Sequence, residues 1–156
     1  MDAVPDHHDA VERDCRSKPP EPATDDERAA STRRRALRAG GVVPIEPDPR
    51  VAVLLEPGER VVAQRRGVAV EVHGGDPSTG TDRASDPVDL YVTDRRLLGI
   101  GIGLDLQLDA IVEADSTNGR LRLRLGDTRG IAIGVADPSV LRVEIAAALR
   151  ERRGTP

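Results

Sequence analysis

Arg120, Arg122 and Arg124 alternate with Leu121, Leu123 and Leu125. On a strand, that spacing places three guanidinium groups on one face, about 7 Å apart. Such a row can clamp phosphates or an acidic partner strand through charge-assisted hydrogen bonds. The same spacing suits a solvent-facing strand whose arginines pair with acids of its neighbours, and both readings stand. A second cluster, Arg33, Arg34, Arg35 and Arg38, has the chemistry to meet an anionic membrane or a nucleic-acid backbone, at about 1 kcal/mol per arginine near a charged bilayer. Its acidic neighbours Asp25, Asp26 and Glu27 point instead to a solvated tail. In Thr93-Asp94-Arg95-Arg96, Thr and Asp suit turn-backbone hydrogen bonds and the arginines suit acid pairing. Arg95 and Arg96 are also carried as candidate contacts to an anion or partner.

Catalytic chemistry finds no constellation. His7, His8, Asp6, Asp9 and Cys15 lack the ligand spacing of a structural zinc site, so no metal is expected. Gly99, Gly101 and Gly103 do not show the G-x-G-x-x-G spacing that opens a dinucleotide-binding helix, and no cofactor is expected. No serine sits in a G-x-S-x-G elbow, and His73 is the one histidine beyond the N-terminal stretch, so a hydrolytic triad lacks parts. The expected function is non-enzymatic.

Composition narrows the partners. With 23 basic and 27 acidic residues, net −4, the overall field does not favour nucleic acid. Tyr91 is the sole aromatic residue, which removes the stacking platforms of single-strand binders. The core must therefore be aliphatic. Lys18 is the single lysine, a bias compatible with a GC-rich bacterial genome. Cys15 is alone, which excludes an intramolecular disulfide and suggests a reducing compartment. The acidic first residues lack an apolar signal region, and no window approaches the roughly 18 apolar residues that span a bilayer. The expected setting is cytoplasmic, with a peripheral position on the inner membrane face as the alternative.

The elements that must position these residues fall into two parts. Residues 1–47 carry Pro5, Pro19, Pro20, Pro22, Pro44 and Pro47, many charges and few large apolar side chains, the composition of a disordered arm. Inside it, Thr24-Asp25-Asp26-Glu27 forms a capping box. The spacing predicts a transient helix over 25–39, stable only against something else because its apolar face is thin. From residue 48 a folded domain is expected to run to 153. Asp48-Pro49 starts a short helical turn, and Glu56-Pro57-Gly58-Glu59 breaks it.

Period-two alternation then predicts strands through Val68–Val72, Val88–Val92, Leu98–Ile102, Leu104–Val112, Leu121–Leu125 and Ile131–Val135. The segment between Gly74 and Pro87 is read as a flexible hairpin loop. Asn118-Gly119 predicts a type I′ hairpin, and the three alternating glycines predict a barrel corner. Asp137-Pro138 opens a C-terminal helix with Leu141, Ile145, Ala148 and Leu149 on one face, and Arg142, Ala146, Arg150 and Arg153 opposite.

Leu55-Glu56-Pro57-Gly58-Glu59-Arg60-Val61, Asp89-Leu90-Tyr91-Val92-Thr93-Asp94-Arg95-Arg96-Leu97-Leu98 and the stretch Leu106 to Ile111 resemble the bacterial PH-like and GRAM-like domains over residues 50–153. The resemblance implies a mainly β chain: a PH-like antiparallel barrel of six or seven strands capped by one C-terminal helix. It also implies a binding or scaffold module acting on lipid, peptide or a second copy of itself. The Gly74–Pro87 loop holds Asp76, Asp82 and Asp86 against Arg83, which would repel an anionic headgroup. A protein partner or self-association is thus expected; the alternative is an anionic ligand or lipid headgroup on the arginine-lined strand face.

Overall fold

The computed structural model describes residues 23–74, 83–84 and 86–154. The fold is mainly β, an antiparallel sheet with a C-terminal helix. Three α-helices are present: α1 (Asp25–Gly40), α2 (Pro49–Ala52) and α3 (Pro138–Gly154). The strands are β1 (Val61–His73), β2 (Arg83–Ala84), β3 (Val88–Thr93), β4 (Arg96–Ile100), β5 (Leu104–Gln107), β6 (Ile111–Thr117), β7 (Arg120–Leu125) and β8 (Gly130–Gly134).

Strand order is β5-β4-β3-β1-β8-β7-β6, with β2 paired to β1. The 13-residue β1 belongs to both halves. Val61 to Val68 pair with β3, and Ala69 to His73 pair with β8. The change of partner follows a register shift between Arg65 and Val68, where Gly67 adopts φ +61°. A bulge at a left-handed residue bends and twists a strand, so this glycine sets the corner.

The sheet does not close. Its edges are β5 and β6, so the expected barrel is an open, strongly bent sheet. The physical reason lies in the joint: Leu108–Ala110 form a 3-10 turn between them, where the alternation predicted one continuous strand. Leu108 is fully buried there. The predicted strand Leu98–Ile102 likewise ends at Ile100, and Gly101 and Gly103, at φ +94° and +66°, turn the chain back into β5. The Asn118-Gly119 hairpin forms with Thr117 opposite Arg120. Only Gly119 has positive φ there, so the turn is not type I′.

The core follows the period of the strands. Inward Val70, Leu90, Val92, Leu97, Leu121, Leu123 and Ile133 meet Leu141, Ile145 and Ala148 of α3. Burying each such aliphatic side chain contributes about 1.5–3 kcal/mol. The opposite face of β3–β4 is covered too: Tyr91 and Leu98 pack with Val51 of α2. Tyr91 is fully buried, and its hydroxyl accepts a 3.3 Å bond from Gln64.

Helix α1 differs most from expectation. The capping box forms, with the Glu27 N–H donating to Thr24 Oγ1 at 3.2 Å and the Thr24 N–H to Glu27 Oε2 at 2.7 Å. The helix is not isolated, however. Its Ala30 and Leu37 are buried against Val143 and Ala147 of α3. Arg33 bonds Glu144 at 3.0 Å, and Glu151 accepts the Val42 N–H at 2.8 Å. Asp26 Oδ2 accepts the Ser139 N–H at 2.9 Å, so a side chain of α1 caps the start of α3. The Asp137 carboxylate, expected as that cap, instead binds Arg65 at 2.8 and 2.9 Å. Small residues let the two helices approach closely, which is why a thin apolar stripe suffices. The arm preceding residue 23 lies outside the described residues, as does most of the Gly74–Pro87 loop.

Candidate interaction groove

The Glu56–Arg60 and Thr93–Arg96 segments form a structural clamp. Thr93 Oγ1 donates to Glu59 Oε1 at 2.7 Å and accepts the Arg95 and Arg96 N–H groups at 3.0 and 2.8 Å. Arg96 grips Glu59 with two bonds of 2.9 Å and reaches Asp105 at 2.7 Å and the Leu54 carbonyl at 2.6 Å. The Glu59 side chain is 0% exposed and that of Arg96 10%. Burial pushes the Glu59 carboxyl up, but the bonds from Arg96, the Glu56 N–H and Thr93 outweigh it and hold it below its usual range. Arg95 pairs with Glu56 at 2.8 Å, and Arg60 with Asp94 at 3.4 Å. Arg96 is therefore enclosed within the fold. Arg95 is more exposed but already engaged.

The β7 row lies on an exposed face. Arg120 pairs with Glu71 at 3.2 Å and Arg124 with Glu113 at 2.8 Å. Arg122 stands opposite Asp115 and Ala132 in register. Two of the three guanidiniums are thus committed to neighbouring strands. His7, His8 and Cys15 lie outside the described residues.

The arm cluster divides. Arg33 is spent on Glu144, and Arg35 is exposed. Arg34 and Arg38 turn toward α3 and line a groove of about 520 Å³ with Arg142, Arg150 and Arg153. The apolar surface of this groove comes from Ile111 and Ala114 of β6 and Ile145, Ala146 and Leu149 of α3. Glu113 is the one acid that lines it, and it already holds Arg124.

The pairing of arginines sets this groove apart. Arg28, Arg33, Arg50, Arg60, Arg65, Arg95, Arg96, Arg120, Arg124, Arg129 and Arg152 each have a carboxylate partner. The pairing is tight enough to hold the Asp48 carboxyl at about 2, through its bonds from the Arg50 side chain and N–H. Among the described side chains, Arg34, Arg35, Arg38, Arg66, Arg122, Arg142, Arg150 and Arg153 have no such partner, and five of these eight, Arg34, Arg38, Arg142, Arg150 and Arg153, line the groove.

Helix dipoles account for part of this. Arg38 and Arg153 sit in last turns, where the negative helix end favours a cation. Arg142 lies near the start of α3 and Arg34 in the body of α1, where the dipole gives no such compensation.

The groove also borders a free backbone edge. Among the described residues β6 pairs only with β7, leaving its outer edge to accept another strand. Val112 on this strand is 54% exposed. The sequence reading found the α3 arginines opposite that helix's apolar face. It missed their union with Arg34 and Arg38, which are more than a hundred positions away and meet them only once α1 docks.

No helix of the described residues is long and apolar enough to cross a membrane. Compared with known proteins, the chain matches no family model and no curated relative.

Proposed function

We propose that this chain is a non-enzymatic binding module whose recognition surface for a protein partner is the groove between α1, α3 and β6. One observation carries the reading: five of the eight described arginines without a carboxylate partner gather around one groove that has an apolar floor and borders a free strand edge. An unpaired cation cluster is costly to assemble, because like charges repel at short range. A partner that supplies the missing carboxylates removes that cost. The sequence resemblance to the PH-like and GRAM-like domains supports the same reading, since it implies a module that binds rather than catalyses, and an open seven-strand sheet with a C-terminal helix is compatible with it. The β7 arginine row supports the anionic-ligand alternative less well, because Arg120 and Arg124 are already paired.

Site-specific photo-crosslinking in the cell of origin tests this. A photoreactive residue at exposed Ala146, in the groove, is expected to give a discrete protein adduct. The same residue at exposed Asp127, on the β7–β8 turn, should give none. Equal adducts from both positions, or an Ala146 adduct unchanged by R142E, would refute the assignment.

A further inference from the structure

Helix α3 runs alongside β6 in the opposite direction. Ser139 Oγ meets Ser116 Oγ at 3.1 Å near one end, and Arg152 meets Asp109 at 3.3 Å near the other. A strand added to the outer edge of β6 would therefore lie along α3. Its side chains would point alternately toward that helix and away from it.

Spacing then fixes which inward side chains meet which groove residues. Arg142 and Arg150 are separated by about 12 Å along the helix axis, from a rise of about 1.5 Å per residue. Residues i and i+4 of a strand are separated by about 13 Å. The position between them, i+2, falls over Ile145, Ala146 and Leu149.

We infer that the groove takes an extended acidic segment of a partner protein, added as a strand to β6, with an acid–x–apolar–x–acid pattern. This rests on the binding-module reading above and adds the class and the pose of the partner. The first acid meets Arg142 and Arg34, the apolar residue meets the floor, and the second acid meets Arg150 and Arg153. Main-chain bonds to an edge strand give affinity, and alternate side chains give specificity. A second copy of this chain does not fit, because symmetric β6–β6 pairing would set one arginine-rimmed groove beside another.

The test uses the full chain, ¹⁵N-labelled, titrated with a nine-residue peptide centred on Glu-Thr-Val-Thr-Glu. The β6 amides are expected to shift and saturate, and R142E or R150E should weaken binding by about tenfold or more. A scrambled peptide with the acids adjacent should bind more weakly, and one N-methylated at alternate amides should not bind. Equal binding by the scrambled or methylated peptide would overturn the strand pose while leaving the groove intact. Undiminished binding to R142E and R150E would overturn the groove itself. Two results would replace the partner strand: dimers in sedimentation that R142E abolishes, or flotation with phosphatidylserine vesicles that R142E abolishes in the absence of peptide binding.

Discussion

Replacing Arg96 by Met isolates the clamp beneath the β3–β4 turn. The Met side chain fills the aliphatic part of the Arg96 volume but returns none of its bonds to Glu59, Asp105 and the Leu54 carbonyl. Asp105 is half exposed and recovers water. Glu59 is not exposed at all, so it keeps its charge with only the Glu56 N–H and the Thr93 hydroxyl as donors. Breaking a buried pair by removing one partner costs about 3–5 kcal/mol. Against a total stability of about 5–15 kcal/mol, that is a large fraction. Urea unfolding at pH 7 should show it as a lower midpoint with an unchanged slope.

The pH dependence separates this cause from simple loss of packing. In the wild type the folded Glu59 carboxyl lies below its ordinary value of 4.5. Its contribution is present above that value and lost as pH falls through the folded pKa. In the variant, burial without Arg96 raises the folded carboxyl above its unfolded value. Protonation on acidification then favours the folded state, and the gap between variant and wild type narrows toward pH 4. A gap that stays constant from pH 7 to pH 4 would refute the claim that a stranded Glu59 carries the loss. The double variant E59Q/R96M should recover much of the deficit, since replacing both members of a buried pair is far less costly than stranding one.

Two further substitutions test the joints of the fold. Gly67→Ala meets no atom within 4 Å, so its cost comes from φ +61° alone. It should be about 1–2 kcal/mol in chemical unfolding, and a neutral result would remove Gly67 from the corner. Asp26→Ala removes the side chain that accepts the Ser139 N–H. A loss of about 1 kcal/mol is expected, with faster amide exchange at the start of α3; unchanged exchange there would show that α1 does not cap it.

Local grammar was legible wherever the residue neighbours in sequence decide the outcome. The alternation of Leu121, Leu123 and Leu125 gives β7, the Asp48-Pro49 pair gives α2, and the Thr24–Glu27 box gives the start of α1. What escaped depends on partners far along the chain. Helix α1 read as transient because Ala30 and Leu37 offer little area, and its anchors Glu144, Ser139 and Glu151 belong to the other end of the sequence. The break at Leu108 escaped because its period-two alternation is that of a strand. The candidate groove escaped for the same reason as α1: Arg34 and Arg38 become part of a site only through docking. By contrast, the turn-bonding role of Thr93 and the acid pairing of Arg95 and Arg96 were legible from residue type alone.

The net charge of −4 is a poor guide to what this surface attracts. Charges separated by more than a Debye length, about 8–10 Å in ordinary salt, scarcely feel one another through water. Several acids that enter the total are already held by arginines elsewhere on the chain: Glu59 by Arg96, Glu144 by Arg33 and Arg65, Asp48 by Arg50. A partner approaching the groove therefore meets the local arginines and not the average. Those arginines also bear on the open β6 edge. An exposed strand invites pairing with a second copy, and a surrounding row of like charges opposes that pairing while favouring an acidic strand. On the proposed reading, protection from self-association and selection of the partner would follow from one set of residues, because both depend on the sign of what lies alongside β6.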